Sequence, residues 1–141
     1  MLQRKNETVL RAFFRDDKRA LLVTGARQTG KTFLIRKVGK ECFKSFVEIN
    51  FIENPDAAKI FSNAKTAEDI LLRISAISTE NLVKGETLIF FDEVQECKEI
   101  VTAIKFLVDD GSYKYVLSGS LLGVQLRDIK SVTNDMCQLP M

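Results

Sequence analysis

A chain of 141 residues, 45% hydrophobic and 28% charged, is one domain by size and has enough apolar mass to bury a core. Its net charge of +2 leaves no basic excess for a nucleic-acid footprint, and no apolar run approaches the length of a membrane span. The absence of histidine excludes Ser-His and Cys-His nucleophile pairs, and the widely spaced Cys42, Cys97 and Cys137 offer no C-x-x-C for zinc.

The N-terminus, Met1 to Glu7, has charge but no apolar stretch behind it, so no signal peptide is expected. Three free thiols fit a reducing cytosol, and a cytoplasmic location is expected. Residues 2–15 place Leu2, Val9, Leu10, Phe13 and Phe14 among charges, which predicts an amphipathic helix covering one edge of the domain. Asp16-Asp17-Lys18 reads as a turn. Arg19–Thr24 reads as a strand apolar enough to lie centrally in a parallel sheet.

Gly25 to Thr32, Gly-Ala-Arg-Gln-Thr-Gly-Lys-Thr, then has the form G-x-x-x-x-G-K-T. A helical pattern over 30–42 follows, with Phe33, Leu34, Ile35 and Val38 as apolar members. Strand, glycine loop and helix together make this spacing a phosphate-binding claim. A phosphate chain is wrapped by backbone, so bulky side chains must be absent, and Gly25 and Gly30 supply angles a β-carbon would forbid. The N–H groups of Gln28 to Thr32 then converge at the positive end of the helix dipole. Lys31 is a mobile point charge for the β- and γ-phosphates, and the Thr32 hydroxyl is a hard oxygen ligand for Mg²⁺. Arg36, Lys37 and Lys40 form a basic face that ordinary solvation explains.

Ser45–Phe51 alternates apolar and polar residues and predicts a second strand, broken at Asn54-Pro55. A short helix is predicted from Asp56 to Phe61. Thr66-Ala67-Glu68-Asp69 resembles a capping box, with Asp69 reaching back to Thr66, ahead of a helix burying Ile70, Leu71, Ile74 and Ile77. Thr87 to Phe91 predicts a strand buried on both faces, with Asp92 and Glu93 at its C-terminal end, where ligands bind in open α/β sheets. Glu96 to Asp109 predicts an amphipathic helix with Ile100, Val101, Ile104, Leu107 and Val108 inward, stopped at Asp110-Gly111. Tyr113–Leu117 predicts a fourth strand, ending in Ser118-Gly119-Ser120. Beyond Leu126 the pattern fades.

An apolar run followed by Asp-Glu is, alone, a common strand ending. Paired with a glycine loop about 60 residues upstream, it reads as the second half of a nucleotide-hydrolysing site. Asp92 is expected to hold Mg²⁺ beside Thr32, and Glu93 to orient a water and accept its proton. The hydroxyl of Ser118 or Ser120 either meets the γ-phosphate or the attacking water, or merely closes a strand-to-loop turn.

The motifs at Gly25–Thr32, Phe90–Gln95 (Phe-Phe-Asp-Glu-Val-Gln) and Leu117–Ser120 (Leu-Ser-Gly-Ser), with Glu48-Ile49-Asn50-Phe51 before an Asn-Pro turn, resemble a bacterial and archaeal family of AAA+-like ATPases. The resemblance covers residues 1 to about 132. It implies a three-layer α/β core of the P-loop class, with a mainly parallel sheet and an extra strand between the phosphate-loop strand and the Asp-Glu strand. It implies ATP and Mg²⁺ as ligands. Residues Gly25, Ala26, Arg27, Gln28, Thr29, Gly30, Lys31, Thr32 and Phe33 would cradle the nucleotide, and Thr32 and Asp92 would hold the metal. Lys31, Glu93 and Ser118 or Ser120 would act in catalysis.

Members of that family continue through a fifth strand, a helical lid and a further domain. Here the fifth strand and the lid are expected to be missing, residues 133–141 to form an irregular tail, and the phosphate-loop strand to be left as an open edge. Binding is expected to survive better than turnover, since binding needs mainly the loop, whereas hydrolysis also needs water exclusion and a cation in trans. A protein partner or self-association is left open, with no membrane or nucleic-acid partner indicated. A P-loop kinase of nucleotides or metabolites, which does not need Glu93, and a non-catalytic remnant are the competing readings.

Overall fold

The computed structural model describes residues 2–24, 30–119 and 136–140. In chain order the elements are α1 (Leu2–Asp16), β1 (Ala20–Thr24), α2 (Lys31–Cys42), β2 (Ser45–Asn50), α3 (Asp56–Ile60), α4 (Ala67–Ile77) and β3 (Thr87–Asp92). A 3₁₀ turn (Val94–Glu96), α5 (Lys98–Asp110), β4 (Lys114–Ser118) and β5 (Met136–Pro140) complete the described residues. The strands form one sheet in the order β2-β3-β4-β1-β5, with every neighbouring pair parallel. Parallel strands need crossovers, and helices on both faces supply them. Strand β4 lies between β1 and β3, as the family resemblance implies.

The alternation of side chains along each strand divides the core in two. Leu21, Val23, Phe46, Leu88, Phe90 and Val116 meet α1 and α2 through Leu10, Phe13, Leu34, Ile35 and Val38. Leu22, Val47, Ile49, Ile89, Phe91, Tyr115 and Leu117 meet α3, α4 and α5 through residues such as Phe61, Ile70, Ile74, Ile100 and Ile104. All six residues of β3 are buried, because both of its faces are covered and both of its edges are paired. On the first face α2 comes very close to the sheet at Gly39. A β-carbon there would stand 2.7 Å from the Leu88 Cδ2 and 3.0 Å from the Phe46 ring.

The expectation of a missing fifth strand is corrected. Residues 136–140, placed by sequence in an irregular tail, form β5 and pair in parallel with β1, from Ala20 opposite Met136 to Thr24 opposite Pro140. Strand β1 is therefore flanked on both sides. The segment shows no clean alternation and ends in a proline, which cannot donate to a ladder. Such a residue is tolerated at an edge, and β5 is the end of the sheet.

Smaller differences have local causes. The Thr66 hydroxyl accepts from the Asp69 N–H at 3.1 Å, so the cap forms. The Asp69 carboxylate does not reach back, because Arg73 one turn on takes both of its oxygens at 3.0 and 2.9 Å. Leu71 and Val108 are only partly buried, and Ile77 is exposed at the end of α4. Two members of the basic face of α2, Arg36 and Lys37, are paired as well as solvated. Arg36 donates twice to Glu48 at 2.6 Å, and Lys37 meets Glu7 at 3.4 Å. The Glu48 carboxylate raises the Arg36 guanidinium pKa above its ordinary value, mainly through these hydrogen bonds. No helix among the described residues is long and apolar enough to cross a membrane.

Candidate functional site

The C-terminal ends of β2, β3 and β4 and the first turn of α2 meet at one carboxylate. Asp92 ends β3 and is 4% exposed. The Ser118 hydroxyl at the end of β4 donates to its Oδ1. The Asn50 amide at the end of β2 donates to its Oδ2 at 3.0 Å, and the Thr32 hydroxyl donates to the same oxygen at 3.5 Å. The register explains the convergence, since Asn50 stands directly opposite Asp92. In a parallel sheet, strand ends that share a rim also share their polar side chains. A buried carboxylate needs such donors, because an unpaired charge at this depth would be costly.

Gly30 begins α2 with φ of 82°, a left-handed value that glycine adopts without strain. A β-carbon there would meet nothing within 4 Å, so backbone conformation and not crowding calls for glycine. As N-cap it offers no side chain to the helix, so among the described residues no side chain caps the first N–H groups of α2. That end is therefore suited to an anion. Lys31 is the first helical residue and Phe33 is exposed. Gly25, Ala26, Arg27, Gln28, Thr29 and Ser120, and the side chain of Lys31, lie outside the described residues.

Glu93 follows Asp92 but points elsewhere. Its backbone is left-handed, with φ of 57° and ψ of 46°, a conformation that costs energy in a non-glycine residue. Its carboxylate is buried and accepts from the Gln95 amide at 2.7 Å. Sequence reasoning proposed roles for Thr32, Asp92, Glu93 and Ser118, and the fold brings these four to one rim. It assigned no role to Asn50 or Gln95. Asn50 was findable by the rule that picked out Ser118, since a polar residue ending a parallel strand faces the same rim. Besides bonding Asp92, its side-chain oxygen accepts from the N–H groups of Ile52 and Glu53, both at 2.9 Å.

The oxygens of Thr32 and Asp92 form a hard donor pair that fits a divalent cation such as Mg²⁺. The 3.5 Å Thr32 contact is the longest hydrogen bond to Asp92 and the first that would give way to an ion.

A family model described as an AAA domain matches residues 17–138. That span runs past residue 132, where the sequence reading ended the domain, and into β5. Among solved structures the chain is similar to C. elegans PCH-2, at 14% identity and a TM-score of 0.61, covering 99% of this chain and 42% of that one. It is also similar to the T158V form of Thermotoga maritima RuvB, at 15% identity and a TM-score of 0.58, covering 96% of this chain and 44% of that one. The chain thus spans less than half the length of either structure. No curated protein matches. A family match over that much of the chain is decisive: it belongs to the AAA domain family and is a nucleotide-binding domain of the AAA+ ATPase type.

Proposed function

We propose that this domain binds ATP with Mg²⁺ at the C-terminal rim of its sheet and hydrolyses it. The observation that carries the reading is the convergence of Thr32, Asn50 and Ser118 on Asp92, beside the glycine-led start of α2. The glycine loop at residues 25–30 and the first N–H groups of α2 would wrap the phosphates, with Lys31 as the counter-charge. Thr32 and Asp92 would hold the cation, whose charge offsets that of the phosphates. Asn50 and Ser118 keep the Asp92 carboxylate in place. Glu93 would take the proton of the attacking water.

A Glu93→Gln variant tests the reading. An ATPase should keep its ATP affinity and lose about 100-fold or more in turnover. A kinase, which replaces water with an acceptor substrate, should be little changed. A wild-type chain whose melting temperature ignores ATP and Mg²⁺ would be a remnant, since tight binding to the native state raises stability.

We place the domain in the cytoplasm, consistent with the free thiols of Cys42 and Cys97, and fractionation to another compartment would refute this. Its nucleotide state would be read by a protein partner or a second copy. Sedimentation with and without ATP separates self-association from a monomer.

A further inference from the structure

The Glu93 carboxylate is held by a residue outside the metal and phosphate set. Gln95, in the 3₁₀ turn two residues on, donates its Nε2 to Glu93 Oε2 at 2.7 Å. The other end of the same amide is unsatisfied: Gln95 Oε1 is buried and has no hydrogen-bond partner among the described residues. Turning the amide over would set its oxygen against the carboxylate, so its orientation follows from Glu93 and not from its own bonding needs. An apolar residue of similar size would remove the orphaned oxygen but also the donor of a buried carboxylate, so the amide is kept for what it does to Glu93. The backbone adds a second cost, because Glu93 is left-handed at φ of 57°. A strained residue and an orphaned acceptor two positions apart both serve to fix where one carboxylate lies.

We propose that Gln95 is a positioning residue, whose amide holds the Glu93 carboxylate in the orientation needed to polarise the attacking water. This rests on the reading of Glu93 given above. The mechanism needs a donor at position 95. Leucine removes it, glutamate removes it when ionised, and glutamate restores it when protonated.

The test compares the full chain with its Gln95→Leu and Gln95→Glu variants for ATP turnover, ATP affinity by calorimetry and melting temperature. In Gln95→Leu, kcat should fall about tenfold or more, as losses of supporting contacts commonly do, with ATP affinity within about twofold, and melting temperature should drop modestly because the buried Glu93 carboxylate loses this donor. Gln95→Glu should be impaired at neutral pH and regain activity as pH falls, a pH dependence that neither the parent nor Gln95→Leu shows. An unchanged kcat in Gln95→Leu, or a Gln95→Glu variant that does not regain activity as pH falls, overturns the proposal while leaving ATP hydrolysis intact. If the parent binds ATP but turns over too slowly to measure, binding of ADP with aluminium fluoride decides. Selective weakening of that complex in Gln95→Leu supports the role, and equal binding overturns it. A parent that binds no ATP overturns the functional reading itself.

Discussion

The two rims of the sheet use polar residues in opposite ways. At the N-terminal rim the bonds are closed. The Ser45 hydroxyl donates to the Asn81 carbonyl at 2.9 Å and lies 2.6 Å from the Thr87 hydroxyl, which accepts from the Val83 N–H at 2.7 Å. Lys114 donates to the carbonyls of Asp17 and Arg19 and lies 3.9 Å from the Phe13 ring centroid. These groups tie turns to strand starts. At the C-terminal rim, side chains from α2, β2 and β4 instead converge on one carboxylate, while among the described residues no side chain caps the start of α2 and Gln95 Oε1 has no partner. The first rim spends its polar capacity on folding, and the second holds some in reserve. That asymmetry, with both rims built from the same strands, locates function in this molecule.

The contrast breaks most sharply at Asp92. Asp92→Ala should cost about 3 kcal/mol, because the buried Ser118 hydroxyl and the Asn50 amide both lose their acceptor. Affinity for ATP with Mg²⁺ should fall about 100-fold or more. Chemical denaturation and calorimetry measure the two losses, and a variant as stable and as tightly binding as the parent would dissolve the distinction between the rims. Asn50→Ala is a milder form of the same experiment. It removes the bond to Asp92 and leaves the N–H groups of Ile52 and Glu53 without their acceptor, a loss of about 2 kcal/mol. ATP affinity should drop about tenfold, as for other residues that orient a metal-holding group.

How far the sequence reveals this contrast depends on the distance over which each feature is encoded. Apolar runs and their spacing identify β1 to β4 and the long helices, because burial of Phe90 or Ile104 is written into its own segment. Glycine loop and Asp-Glu are local patterns as well, so the residue order alone picks out Thr32 and Asp92. The fifth strand is different. Met-Cys-Gln-Leu-Pro becomes a strand through its pairing with β1, more than a hundred residues away, and its own pattern says little. Gln95 escapes for another reason. Its importance lies in an unmade bond, and a bond that is not made leaves no trace in residue order. The expected return of Asp69 to Thr66 fails because Arg73, invisible to a four-residue motif, competes for the same carboxylate.

At the opposite rim, substitutions should touch stability alone. Lys114→Met keeps much of the apolar stem but loses the donations to Asp17 and Arg19 and the charge above Phe13. The expected cost is about 1 kcal/mol, with ATP affinity unchanged. Weakened nucleotide binding in this variant would show that the two ends of the sheet are coupled.

The smallest effect belongs to Asp17 and depends on pH. Arg19 donates to its carboxylate from Nε at 3.0 Å and Nη2 at 2.7 Å, and these bonds lower the Asp17 pKa to about 2. An unfolded aspartate titrates near 3.9, so the folded state prefers the ionised form. The resulting stability is fully present above about pH 4 and disappears as pH falls toward 2. Arg19 is nearly half exposed, so solvent screening limits the contribution to about 1 kcal/mol or less. Asp17→Asn can keep an oxygen for the Arg19 N–H, which now donates at 2.9 Å, and so isolates the charge. The parent should be slightly more stable than this variant at pH 7, and the two should converge as pH drops to about 2. A difference that persisted in acid would point to lost geometry instead of lost charge.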